Sequence, residues 1–65
     1  MNASKLRGIM AERGVTQKEV AEMIGVAPKT FYLKMKNGTF GLDEVNTMID
    51  GLKIENPADI FLTNG

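Results

Sequence analysis

The sequence predicts an all-α chain of five short helices, on three observations. Residues 16–38 hold two amphipathic segments joined by a turn too tight for an ordinary loop. Apolar residues elsewhere recur three and four apart, and cap and stop residues divide the chain into segments of two or three helical turns.

The first helix is expected over about 3–13, with Asn2 or Ser4 as its cap and Gly14 closing it. Leu6, Ile9 and Met10 share one face, with Arg13 at its edge, and are expected in the core. Thr16 then caps a second helix, and Glu19 three residues on completes a capping box, each side chain satisfying a backbone donor the helix end leaves free. Val20, Ala21 and Ile24 make its apolar stripe. Gly25 follows where a left-handed residue ends a helix without Cβ strain, and Val26 can tuck beneath the turn.

Pro28 restarts the chain as a helix, since proline at the first helical position gives up an N–H that has no partner there. That leaves Ala27 as a weak N-cap. The third helix is expected over about 28–36 and stops at Asn37-Gly38. At about 100° per residue, Phe31 and Met35 fall on one side, while Lys29, Tyr32, Leu33 and Lys36 form the i, i+3, i+4, i+7 row of another. The pair should pack inward and the row should be presented.

Phe40 is expected as a lid on the core. A fourth helix near 42–52 puts Val45, Met48, Ile49 and Leu52 on one side, with Asp43 and Glu44 suited to the dipole of its first turn. It should end between 51 and 53, ahead of Ile54. Asn56 and Pro57 give a cap and a proline start for a last helix over about 57–62. Ile60, Phe61 and Leu62 are consecutive, so one short helix cannot bury them all. The remainder is expected either as a dimer contact or, at Leu62, as frayed terminus. Residues 63–65 are expected to be disordered.

Sixty-five residues make one small domain, 1–65, burying about 60% of its unfolded surface. Cysteine and histidine are both absent, which removes disulfides, thiolate metal sites and the commonest nucleophile–base chemistry. The remaining carboxylates, lysines and single tyrosine form no recognisable catalytic constellation. No enzyme, metal or cofactor is expected. No apolar run approaches the roughly 20 residues of a membrane helix, and charges interrupt the start before a signal-peptide core could form. A soluble, cytoplasmic protein is expected.

The net charge is zero, but it is unevenly spread. Residues 1–38 carry Lys5, Arg7, Arg13, Lys18, Lys29, Lys34 and Lys36 against Glu12, Glu19 and Glu22, a balance of +4. Residues 39–65 carry Lys53 against Asp43, Glu44, Asp50, Glu55 and Asp59, a balance of −4. Either the domain presents one basic face or the surface charges simply fell this way.

Thr16-Gln17, Ala21, Gly25, Val26 and the T-F-Y run at 30–32 resemble the helix-turn-helix of phage repressors of the Cro and lambda-repressor type. GLDEV at 41–45 and NPADIF at 56–61 are similar to the fourth and fifth helices of small repressor domains from phages of Gram-positive hosts. The resemblance covers nearly the whole chain. It implies a lambda-repressor-like DNA-binding domain with its helix-turn-helix at about 16–36. The function it implies is sequence-specific binding of double-stranded DNA that regulates, and most simply represses, transcription at a phage-type operator. A homodimer, at least on DNA, is implied with it, as is residence in the cytoplasm of the bacterial host, associated with the nucleoid. Neither a membrane nor a small-molecule substrate is expected as a partner.

Within that reading the third helix enters the major groove, with Ala27, Pro28, Lys29, Tyr32 and Leu33 as the base-reading set. Lys29 can donate to guanine O6 and N7, and Pro28 and Leu33 offer apolar surface to a thymine methyl. Gln17, placed by the resemblance on a backbone phosphate, is joined in that role by Lys18, Lys36, Asn37 and Thr39, and the two glycines of the 37–41 loop are expected to bring backbone N–H groups close to phosphate. Lys5 and Arg7, off the apolar stripe of the first helix, either reach the DNA backbone or are solvated.

The chain departs from the family pattern in three ways: Ala27 stands where a serine or threonine cap is common, Leu33 where a polar reader is common, and residues 39–41 lack lysine or arginine. Few phosphate contacts mean little counterion release, which dimerisation would offset. The alternative reading is a protein-interaction module, an antitoxin-like partner using the exposed Tyr32/Leu33 face and the C-terminal apolar patch.

Overall fold

Five helices organise residues 1–63, the part of the chain that the computed structural model describes. They are α1 (Ala3–Glu12), α2 (Gln17–Ile24), α3 (Pro28–Asn37), α4 (Leu42–Leu52) and α5 (Pro57–Phe61). Each begins where the sequence signals it. Asn2, the first of the two candidate caps, accepts the Lys5 N–H through Oδ1 at 3.1 Å. The capping box of α2 is complete: Thr16 Oγ1 accepts from the Glu19 N–H at 3.1 Å and Glu19 Oε1 from the Thr16 N–H at 2.9 Å. Ala27 makes no side-chain cap.

The ends of α2, α3 and α4 are set by left-handed residues. Gly25 lies at φ 81°, and the Val26 N–H donates back to the Ala21 carbonyl at 2.9 Å, tucking Val26 beneath the turn as expected. Gly38, at φ 65°, lets α3 run one residue further than expected, to Asn37. α1 and α5 each stop one residue short of expectation, with Arg13 and Leu62 at their C-caps.

One expectation needs correction. Asn56 occupies the N-cap of α5, but its side chain makes no capping bond. α4 ends at Leu52, within the expected 51–53, and the left-handed position falls on Lys53, at φ 53°. Gly51, in the last turn, makes room for α2: a Cβ there would overlap the Met23 thioether, with Met23 Cε 2.9 Å away. Gly51 is where α2 and α4 approach.

The core lies where the apolar stripes meet. Leu6 and Met10 of α1, Val20 and Ala21 of α2, Phe31 and Met35 of α3, and Met48 and Leu52 of α4 are buried, joined by Ile54 and Ile60. Ile9, Ile24 and Ile49 are half-buried at its edge, and Val45 is half-buried on α4. Phe40 closes it as a lid, its ring 5.5 Å from that of Phe31 and tilted by 49°. α2 packs on both α3 and α4, and α1 on α5, where the Asn2 N–H donates to the Ile60 carbonyl at 2.6 Å.

The consecutive apolar residues at the C-terminus divide: Ile60 is buried, Phe61 half-buried and Leu62 83% exposed. Thr63, expected to be disordered, instead donates its hydroxyl to the Asp59 carbonyl at 2.9 Å. Residues 64 and 65, covered by the same expectation, lie outside the described residues. Among the described residues, no helix is long and apolar enough to cross a membrane.

Candidate nucleic-acid interface

α3 is amphipathic in a way that fixes its orientation. Phe31 and Met35 are sealed in the core, so the side roughly opposite must face outward. Ala27, Pro28, Lys29 and Lys36 are exposed, and Tyr32 and Leu33 keep 49% and 43% of their surface in solvent. The structure thus brings all five candidate base-reading residues onto one exposed stretch of α3 and its N-cap. Because Ala27 offers no side-chain acceptor and Pro28 has no N–H, the free donors in the first turn of α3 are the Lys29 and Thr30 amides.

The candidate phosphate contacts flank this row. Gln17 is the first residue of α2, half-buried beside its cap, and Lys18 is exposed next to it. Lys36, Asn37 and Thr39 are exposed at the other end of α3. The loop itself differs from expectation. The Gly38 and Thr39 N–H groups both turn back to the Lys34 carbonyl, Thr39 at 3.0 Å, and the Gly41 N–H donates to Glu44 Oε1 at 2.9 Å. Those backbone donors are consumed in closing α3 and opening α4. The Asn37 amide and the Thr39 hydroxyl are what the loop can offer.

Charge is apportioned between fold and surface. Lys34 Nζ meets Glu44 Oε1 at 3.1 Å, joining the end of α3 to the start of α4. The Gly41 N–H and then Lys34 hold the Glu44 carboxyl below its usual range, because both favour the ionised form. Lys5 faces Asp59 at 3.8 Å. Arg13 donates through Nε to the Leu52 carbonyl at 2.8 Å and through Nη2 to the Lys53 carbonyl at 3.0 Å, placing a cation on the carbonyl end of α4. The sequence put Arg13 at the edge of the core and gave no sign of this role, since its partners lie far along the chain. Among the described residues, Arg7, Lys18, Lys29, Lys36 and Lys53 are left with neither an ion pair nor a side-chain hydrogen bond of this kind. Of these, Lys18, Lys29 and Lys36 belong to α2 and α3.

An exposed aromatic and an exposed leucine between two unpaired lysines, on a rigid helix, can hydrogen-bond base edges, cover a methyl group and neutralise phosphate. The model of the Cro/C1-type HTH DNA-binding domain family matches residues 5–64, from α1 through α5. Comparison with curated proteins and with solved structures finds no match.

Proposed function

The chain belongs to the Cro/C1-type HTH DNA-binding domain family, whose members bind DNA and regulate transcription, and from that premise we propose that it represses transcription by occupying a phage-type operator as a homodimer. The observation that carries the proposal is the two-sided character of α3. Phe31 and Met35 lock the helix to the core, and Lys29, Tyr32, Leu33 and Lys36 face outward. A single α-helix fits the major groove, and the N-terminal part of the second motif helix meets the base edges.

In this reading Ala27, Pro28, Lys29, Tyr32 and Leu33 read bases. Lys29 donates to guanine, Leu33 and Pro28 cover thymine methyls, and Tyr32 does either or bonds a phosphate. Gln17, Lys18, Lys36, Asn37 and Thr39 hold the two strands and set the register without specifying sequence. A small, neutral chain makes few phosphate contacts, so two copies on a two-fold site supply what one lacks. The exposed Leu62, beside the half-buried Phe61, is apolar surface such a dimer could cover.

The second reading, an antitoxin-like protein-interaction module, draws on the same exposed Tyr32 and Leu33 with Leu62. Salt separates the two, because phosphate binding weakens steeply with ionic strength and apolar docking does not. The test is selection from a random duplex library at low and moderate salt, with Lys29→Ala and Leu33→Ala in parallel. The expected result is an enriched motif with two half-sites about one helical turn apart. Each variant should lose about 1–3 kcal/mol and relax preference at its own base position. Absence of enrichment at both salts would overturn the DNA reading for this chain and favour the protein partner.

A further inference from the structure

Two clefts flank α1, and they differ in charge. The larger, about 660 Å³, lies between α1 and the α4–α5 segment. Its cations are already engaged, Lys5 with Asp59 and Arg13 with the carbonyls ending α4, and Glu12, Glu55 and Asp59 line it as well. An anion gains nothing there. The smaller, about 360 Å³, lies between the first turns of α1 and the last turn of α3, with Met35 and Gly38 beneath and Ser4, Arg7, Lys36 and Asn37 around it. Among the described residues, no carboxylate lines it. Here the two elements come close: a Cβ on Gly38 would stand 3.3 Å from Met1 Cγ.

We propose that this second cleft is a seat for one phosphodiester of the DNA backbone, held by the Arg7 guanidinium from α1 and Lys36 from α3. Neither cation has an ion pair among the described residues, and both are exposed. The Ser4 hydroxyl and the Asn37 amide add neutral donors on the two sides. The carbonyl end of α3 opposes an anion, but the Gly38 and Thr39 N–H groups already cover the Lys34 carbonyl, which leaves the full positive charges lining the cleft to decide the balance. Arginine suits the task because its planar fork can grip two phosphate oxygens at once.

The inference rests on the DNA reading of α3, with which the cleft shares Lys36. It also separates two residues that look equivalent in the sequence. Lys5 and Arg7 both lie off the apolar stripe of α1, yet Lys5 leans toward Asp59 in the mixed-charge cleft, whereas Arg7 faces the all-cationic one. α1 thereby becomes a third element touching the duplex.

The test measures binding against potassium chloride concentration for wild type, Arg7→Ala and Lys5→Ala. The probes are the duplex enriched from the random library and a random-sequence duplex of equal length. Loss of one phosphate contact lowers the slope of log K against log salt by about 0.9, so over a fourfold rise in salt Arg7→Ala should lose about 3.5-fold less affinity than wild type. The reduction should be equal on both duplexes and leave the selected motif unchanged, while Lys5→Ala keeps the wild-type slope. Neutral methylphosphonates scanned along the enriched duplex should find one position per half-site that weakens wild type but not Arg7→Ala. If Arg7→Ala keeps the wild-type slope, or Lys5→Ala lowers it equally, the seat is overturned while the motif enriched by wild type keeps the DNA reading standing. If wild type enriches no duplex, both fall.

Discussion

The Glu44 carboxylate holds a junction together, accepting the Gly41 N–H that opens α4 and the Lys34 ammonium that ends α3. Both partners favour the charged form, so its carboxyl titrates below the usual value of about 4.5. A group whose folded-state pKa is lowered adds stability that is complete above the unfolded value and is lost as pH falls through the folded one. Glu44→Gln keeps the shape and an acceptor for Gly41 while removing the charge. It should cost about 1 kcal/mol at pH 7, and thermal melts of the two proteins should converge as pH drops below 4.5. An undiminished gap at pH 3 would mean that the charge is not what holds the junction. At this scale legibility followed sequence distance. The Thr16–Glu19 box was visible because its members are three residues apart. Glu44 was visible only as a charge suited to a helix start, because Lys34 reaches it across a loop.

Among the elements, α4 holds the clearest case of one residue type serving two purposes. Glycine ends helices because it tolerates positive φ, and it lets helices approach because it has no side chain. The first use is local and readable, as at Gly25 and Gly38. The second depends on what packs opposite, and so the sequence, which places the helix end at 51–53, gives no sign that Gly51 is the floor on which Met23 rests. The two effects can be weighed separately. Alanine at an interior helical position gains about 1 kcal/mol over glycine, but here its methyl displaces the Met23 thioether. Gly51→Ala should therefore be neutral or destabilising in the wild-type background and stabilising by about 1 kcal/mol in a Met23→Ala background. Urea titrations of the four proteins yield the coupling directly, and a coupling near zero would mean that the helices relax freely around the methyl. The helix starts were legible almost to the residue because caps are written beside the helices they begin. Asn56 stands in the right place without using its side chain.

For the whole molecule, the sequence pattern already separated the inward pair of α3 from its outward row, because helical periodicity needs no tertiary information. It could not say how the seven cations of residues 1–38 would be divided. Folding commits Lys5 and Lys34 to carboxylates of the acidic half and Arg13 to the end of α4, leaving Arg7, Lys18, Lys29 and Lys36 from that set unpaired. Arg13→Ala removes two charge-assisted bonds that tie α1 to α4 and should lower stability by about 1–2 kcal/mol, a fall in melting temperature of roughly 4–16 °C for a chain of this size. Its guanidinium is occupied by the fold, so the salt slope of DNA binding should not change; a shallower slope would show that Arg13 also faces phosphate. The same division sets how the protein finds its target. With no net charge, the chain is not pulled bodily toward a polyanion. Of its unpaired cations all but Lys53 lie on α1, α2 and α3, while five of its eight carboxylates fall in residues 39–65, which gives it an electric dipole, and a dipole near DNA feels a torque before it feels an attraction. On the proposed reading of α3, that torque turns the helix toward the duplex on approach, and the zero net charge keeps the hold on a wrong sequence weak.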